Sequence, residues 1–320
     1  MTSTRLIVIS YILLVYTITL GLAFGNIQLL NVTEAFGDYS GANNPGLAYD
    51  GVNDRYLVTW VVSGEFIANP LYQARIYASN GTIVKDTFSL DVNGASDIID
   101  PEIVGNGEGS YLYVYKTIIA DKIEAILLNS EGATVKTAFD ITPSTTRTPK
   151  FPAAAYNSDT KKYMVVWLAH DTGVGVEGDI FVFGATVDPT DGSVSTQFQL
   201  SSGTVSFSTH PRIAYSSVAK IFFVVWKTER NFVEGRHTSD DGTSNIIELS
   251  FGSGANSNPN VVAHGTQNEF LVLYNGNPIN AQKVSGGGGA SGPEVELSAS
   301  SSTTGGPFCS YSSSLGYVLA

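Results

Sequence analysis

Residues 152–167 read PAAAYNSDTKKYMVVW, and this layout recurs along most of the chain. It is a short apolar segment, a polar loop, and a second, almost wholly apolar segment ending in Trp. The layout returns at 45–60 (PGLAYDGVNDRYLVTW) and 211–226 (PRIAYSSVAKIFFVVW). In all three copies Pro leads, Tyr follows four residues later, and Trp comes 15 residues after the Pro. Residues 259–274 (PNVVAHGTQNEFLVLY) keep the length, with Ala263 in the Tyr slot and Tyr274 in the Trp slot. Residues 101–115 (PEIVGNGEGSYLYVY) are one shorter, and a sixth copy opens at Pro307 (PFCSYSSSLGYVLA).

The leading prolines are 56, 51, 59, 48 and 48 residues apart. Each unit reads as four strands. In the first they are expected at 46–49, 55–62, 72–77 and 82–90, and the last two are joined at Asn80-Gly81, the strongest hairpin dipeptide. Glu131-Gly132, Asp191-Gly192 and Asp241-Gly242 take that place in later units, and the flexible SGGGGAS of 285–291 takes it in the fifth. Period-two and fully apolar runs dominate after residue 25, without helical periodicity. A repeat near 40–50 residues with several strands per unit is the mark of a β-propeller. The expected fold is therefore all-β, with blades starting near 45, 101, 152, 211 and 259 and an incomplete sixth from 307. A two-sheet sandwich is the alternative. Residues 26–44 look like the last strand and loop of a blade, so the N-terminal strand is expected to close the sixth. Because the sixth copy stops mid-strand, the reading frame is expected to continue past Ala320.

Each leading Pro is expected at a strand start, where no ladder donor is needed. The aromatics closing the second strands, Trp60, Tyr115, Trp167, Trp226 and Tyr274, are expected to pack between adjacent blades.

Residues 1–25 are set apart as a signal peptide. Arg5 supplies a positive start, residues 6–24 carry no charge, and Ala23-Phe24-Gly25 offers a cleavage site before Asn26. The apolar run is also close to the roughly 20 residues that span a bilayer, so a retained membrane anchor is the alternative. Both readings place the rest in a secreted or cell-surface location. The net charge is −12, and it would be −13 without residues 1–25, whose single charge is Arg5. Nucleic-acid binding needs a basic footprint and is excluded on that ground. Membrane contact is expected only through a retained N-terminal segment. Charged residues make up 14% of the chain, against roughly 25% in ordinary globular domains, so Ser, Thr, Asn and Gly must solvate it. The single cysteine, Cys309, excludes an intrachain disulfide and a thiolate metal cluster, and is expected to be a small buried residue.

The units resemble the β-propeller repeats of secreted and cell-surface proteins that read P-x-x-A-Y-[DN]…Y-L-V-V-W with a closing Asn/Asp-Gly hairpin. The resemblance covers residue 26 to the C-terminus. They lack the Gly-His…Trp-Asp signature of WD40 blades. The third-to-fourth strand turns (SNGTI, SEGAT, PTDGSV, SDDGTS) also lack the Trp of the sialidase box. Propellers host hydrolases, lyases, lectins and scaffolds, so the resemblance implies a fold without selecting an activity.

The resemblance also implies that loops entering the first strand, and those joining second to third, gather at the mouth of a central funnel. The residues before each Pro then form a candidate polar ring: Asn44, Asp100, His210 and Asn258, with Phe151 and Gly306. Loops before Pro favour Asn and Asp in any case. The longest candidate loop, 168–179, carries His170, Asp171, Glu177 and Asp179. These could hold a divalent cation through oxygen ligands or act as acid and base, but their spacing matches no EF-hand or zinc pattern, and no cofactor is expected. Asn31 and Asn80 head N-glycosylation triplets, and Asn80 sits in an exposed turn. The expected function is an exported binding or structural module for a carbohydrate or an extracellular protein. The alternative is a carbohydrate-active enzyme, glycosidase, sialidase-like or lyase, using carboxylates on the same face.

Overall fold

A computed structural model describes residues 42–319, apart from 64–69, 93–97, 143–146, 172–178, 207–208, 243–248, 252–258, 276–278, 298–308 and 314–315. The expected leader at 1–25, the 26–41 segment and Asn31 lie outside the described residues. The fold is all-β. β1 (Ala42–Asp50), β2 (Arg55–Val62), β3 (Leu71–Ala78) and β4 (Ile83–Ser89) form one antiparallel sheet in sequence order. β5 (Ile98–Gly105), β6 (Ser110–Thr117), β7 (Lys122–Asn129) and β8 (Thr134–Asp140) form the second. The third is β9 (Arg147–Asn157), β10 (Lys162–Asp171), β11 (Ile180–Val187) and β12 (Phe198–Gln199). The fourth is β13 (Arg212–Ser216), β14 (Ile221–Lys227), β15 (Val233–Thr238) and β16 (Leu249–Phe251). The fifth is β17 (Asn260–Ala263), β18 (Glu269–Asn275), β19 (Ile279–Ser285) and β20 (Val295–Glu296). The sixth copy contributes the hairpin β21 (Cys309–Ser312) and β22 (Gly316–Leu319). The first strands of successive sheets lie side by side, from β1 through β5, β9, β13 and β17 to β21. The arrangement is propeller-like.

The second strands of the second to fifth sheets are apolar on both faces because each face meets a different neighbour. Leu57 and Val61 of β2 pack on Tyr111, Tyr113 and Tyr115 of β6. Leu112 and Val114, on the other face of β6, pack with Val165 and Trp167 of β10. Met164 and Val166 of β10 then meet Val224 and Trp226 of β14, and Phe223 and Val225 meet Val272 and Tyr274 of β18. Alternation along a strand thus sends every second side chain to the preceding sheet and the rest to the following one. Trp60, Tyr115, Trp167, Trp226 and Tyr274 are all essentially inaccessible to solvent. Tyr115 and Trp167 do not close their strands as the sequence reading expected: β6 continues to Thr117 and β10 to Asp171.

The leading prolines need a matching correction. Pro45, Pro101 and Pro152 lie inside β1, β5 and β9, not at their starts. The ladder shifts register at each, between Asn43 and Gly46, between Ile99 and Glu102, and opposite the Val166–Leu168 step. The residue before each Pro takes a positive φ: 49° at Asn44, 51° at Asp100 and 53° at Phe151. A bulge absorbs the missing proline N–H and lets the strand pair onward. That onward pairing, as in Arg147 with Asp171, lengthens the second strand. In the fourth and fifth sheets the strand begins just after Pro211 and Pro259.

The turns follow two repeated rules. Gly81, Gly132, Gly192 and Gly242 all have φ between 68° and 86°, the left-handed region that favours glycine. Three of them also underlie an aromatic ring of the preceding fourth strand or its equivalent. A Cβ at Gly132 would lie 2.3 Å from the Phe88 ring, one at Gly242 2.4 Å from Phe198, and one at Gly192 3.4 Å from Phe139. Five residues after each Pro, a short acceptor closes the first hairpin. Asp50, Asn106, Asn157, Ser216 and His264 each accept backbone N–H groups two to four residues on. His264 is thereby a hairpin cap.

Candidate functional site

The bulges place the candidate site. β9 is the terminal strand of its sheet, so one of its edges has no ladder partner within it. Such an edge must find acceptors elsewhere. Glu102, just after Pro101, supplies one: the Ala154 N–H donates to its Oε1 at 3.2 Å. Its Oε2 lies 3.1 Å from Nη1 of Arg212, the residue just after Pro211. One carboxylate thus ties together the first strands of the second, third and fourth sheets. The third sheet permits the crossing because the equivalent residue is the small, fully buried Ala153. The Glu102 and Arg212 side chains retain 30% and 29% of their surface.

The residues before the prolines flank this pair. Phe151 and His210 stack with ring centroids 3.8 Å apart and planes 23° from parallel. Burial, with Arg212 adding to it, pushes the His210 imidazole down to about 4, so it is neutral at pH 7. Burial pushes the Asp100 carboxyl up, against the opposing pull of Arg212, Lys116 and Lys150. Burial likewise raises Glu102, against Arg212 and the Ala154 N–H. Lys116 is itself buried and ion-paired with Asp121, whose other oxygen accepts from Thr148 Oγ1 at 2.8 Å. The result is a partly desolvated cluster of both signs beside a stacked aromatic pair. It offers guanidinium and ammonium donors, carboxylate acceptors and a flat ring.

Of the sequence candidates, the structure brings Asp100 and His210 into the field of one residue, Arg212. Asn44 is exposed on β1, and Asn258 lies outside the described residues. The expected loop at 168–179 begins later than its sequence suggests. Leu168 and Ala169 are buried, and His170 and Asp171 are paired in β10 with Thr148 and Arg147 of β9. His170 and Asp171 are therefore ladder residues, and Glu177 lies outside the described residues. Among the described residues no group of three or more His, Cys, Asp or Glu side chains could hold a metal ion. Cys309 is only partly covered, beside Asn260, and burial pushes its thiol up to about 12. Asn80 is exposed, and its Oδ1 accepts from both the N–H and the hydroxyl of Thr82.

Sequence reading missed Glu102 and Arg212, the centre of the cluster. A signal exists: each is a charged residue directly after the leading Pro, where the other described units place Gly46, Ala153 and Asn260.

No protein-family model matches the sequence, and no curated protein matches it. Solved structures resemble it at low sequence identity. A protein of unknown function from Dyadobacter fermentans superposes with a TM-score of 0.57 at 10% identity, over 82% of this chain and 84% of its own. The lectin SapL1, solved with alpha methyl fucoside, gives 0.49 at 12% identity over 80% and 81%. The microbial sialidase Hz136 gives 0.48 at 13% identity over 72% of this chain and 55% of its own. The first likeness is one of fold alone and assigns no activity.

Proposed function

We propose that this chain is an exported carbohydrate-binding module whose sheets close into a six-membered ring, with its ligand seated on the Glu102–Arg212 cluster. The observation that carries the reading is the Glu102 bridge across three first strands, with Phe151 and His210 stacked beside it. A sugar presents hydroxyls that both donate and accept, and an apolar C–H face that lies on rings. The cluster offers complements to both. In this reading residues 27–32 add the outer strand to the β21–β22 sheet, and the leader is removed before Asn26. N-terminal sequencing of exported protein should return Asn26, and a retained 6–24 segment would establish an anchor in its place.

Glu102→Gln removes the charge from the bridge, and Phe151→Ala removes the platform. Each should weaken binding of a glycan selected on an array by about tenfold or more, since a charge-assisted hydrogen bond is worth about 1.5–3 kcal/mol. Affinity unchanged in both, with unaltered melting, would move the ligand elsewhere. A second reading, a carbohydrate-active enzyme, is favoured by one observation: burial raises both Asp100 and Glu102, the direction a general acid requires. Release of reducing sugar from a bound glycan, lost in Asp100→Asn, would select it.

A further inference from the structure

Resting on that reading, we infer that the site takes a neutral saccharide, in preference to a uronate- or sialate-bearing one or an amino sugar. Two observations at different scales converge on this. The whole chain is strongly acidic, with net charge −12 and pI near 4.7, so its long-range field disfavours an anionic oligosaccharide on approach. The cluster itself opposes a cation. Arg212, Lys116 and Lys150 all act on Asp100, and the same three cations repel an ammonium group entering beside it.

Within the cluster the direct pairs are Glu102 on Arg212 and Asp121 on Lys116. The neutral imidazole of His210 adds no charge. A ligand carboxylate would meet an Arg212 and a Lys116 that are already paired, and a ligand ammonium a paired Glu102 and Asp121, so either would break a pair to gain one. Hydroxyl groups face no such penalty. They exchange water hydrogen bonds for bonds to carboxylate oxygens and to guanidinium or ammonium N–H groups without adding charge. The Phe151–His210 stack accepts the C–H face of a pyranose whatever its substituents, so selection by charge falls to the carboxylates and cations.

The test is titration of the full exported chain with three sets of oligosaccharides of matched length: neutral hexose polymers, uronate-containing polymers, and amino-sugar polymers. Each is run at low salt and at about 0.5 M NaCl, where the Debye length falls to roughly 4 Å. Binding of a neutral member, with a dissociation constant that changes less than about twofold with salt, is the expected result. Preferential binding of the uronate or amino-sugar set, weakened severalfold by salt, would overturn the inference while leaving carbohydrate binding at this face intact. Binding of no member of any set would overturn the functional reading itself.

Discussion

Trp167→Ala should lower the stability of the folded chain by about 3–5 kcal/mol, the usual cost of truncating a buried aromatic. Trp167 is 1% exposed and packs against Leu112 and Val114 from the second sheet as well as Phe183 of its own. Its removal therefore opens a cavity between two sheets. Denaturant unfolding followed by intrinsic fluorescence, with Trp167→Phe as a milder control, measures the loss. An unchanged midpoint would contradict the packing of the third sheet on the second. Trp60→Ala extends the test to the ring. Val58 and Trp60 lie on the face of β2 opposite Leu57 and Val61, and both are buried. A closed ring predicts a loss at Trp60 as large as at Trp167, and an open array predicts a smaller one.

The second large effect is on the acid side. His237 in β15 is 4% exposed, stacked on Phe223 at 4.4 Å and edge-on to Phe270 at 5.7 Å, between the fourth and fifth sheets. Burial, partly offset by the Ser285 backbone, pushes its imidazole down to about 4 from an ordinary 6.5. Between those values the unfolded chain binds a proton that the folded chain refuses, so stability falls as pH drops below about 6.5 and the loss is complete near pH 4. A depression of that size corresponds to about 3 kcal/mol. Asp100 and Glu102 act in the opposite sense, because raised carboxyls stabilise the fold when protonated and lose that contribution as pH rises through their folded values. The difference between parent and His237→Phe isolates the histidine, and the phenyl ring keeps the stacking. Unfolding free energies measured from pH 7 to pH 4 should fall more steeply in the parent by about 3 kcal/mol. Parallel curves would show that His237 is not held neutral.

The apolar period, the proline spacing and the Gly-containing turns were enough to place four strands in each of five units and two in the sixth, because strand pairing and turn conformation depend on short-range pattern. β2 was expected at 55–62 and occupies Arg55–Val62. The glycines of the third-to-fourth strand turns have the positive φ that their dipeptides imply. Asp100 and His210 were legible as candidates because they occupy one repeat position in different units. The bulges were less legible, because whether a proline starts a strand or bends one depends on whether the partner strand continues to pair beyond it. Asp171 and Arg147 settle that for the third sheet. The site was least legible. Glu102 and Arg212 are separated by 110 residues and meet only because their sheets stand on either side of a third whose matching residue is alanine. Sequence determined the unit through local hydrogen bonding and periodicity, and only the packing of the units decided which charges share a dehydrated space.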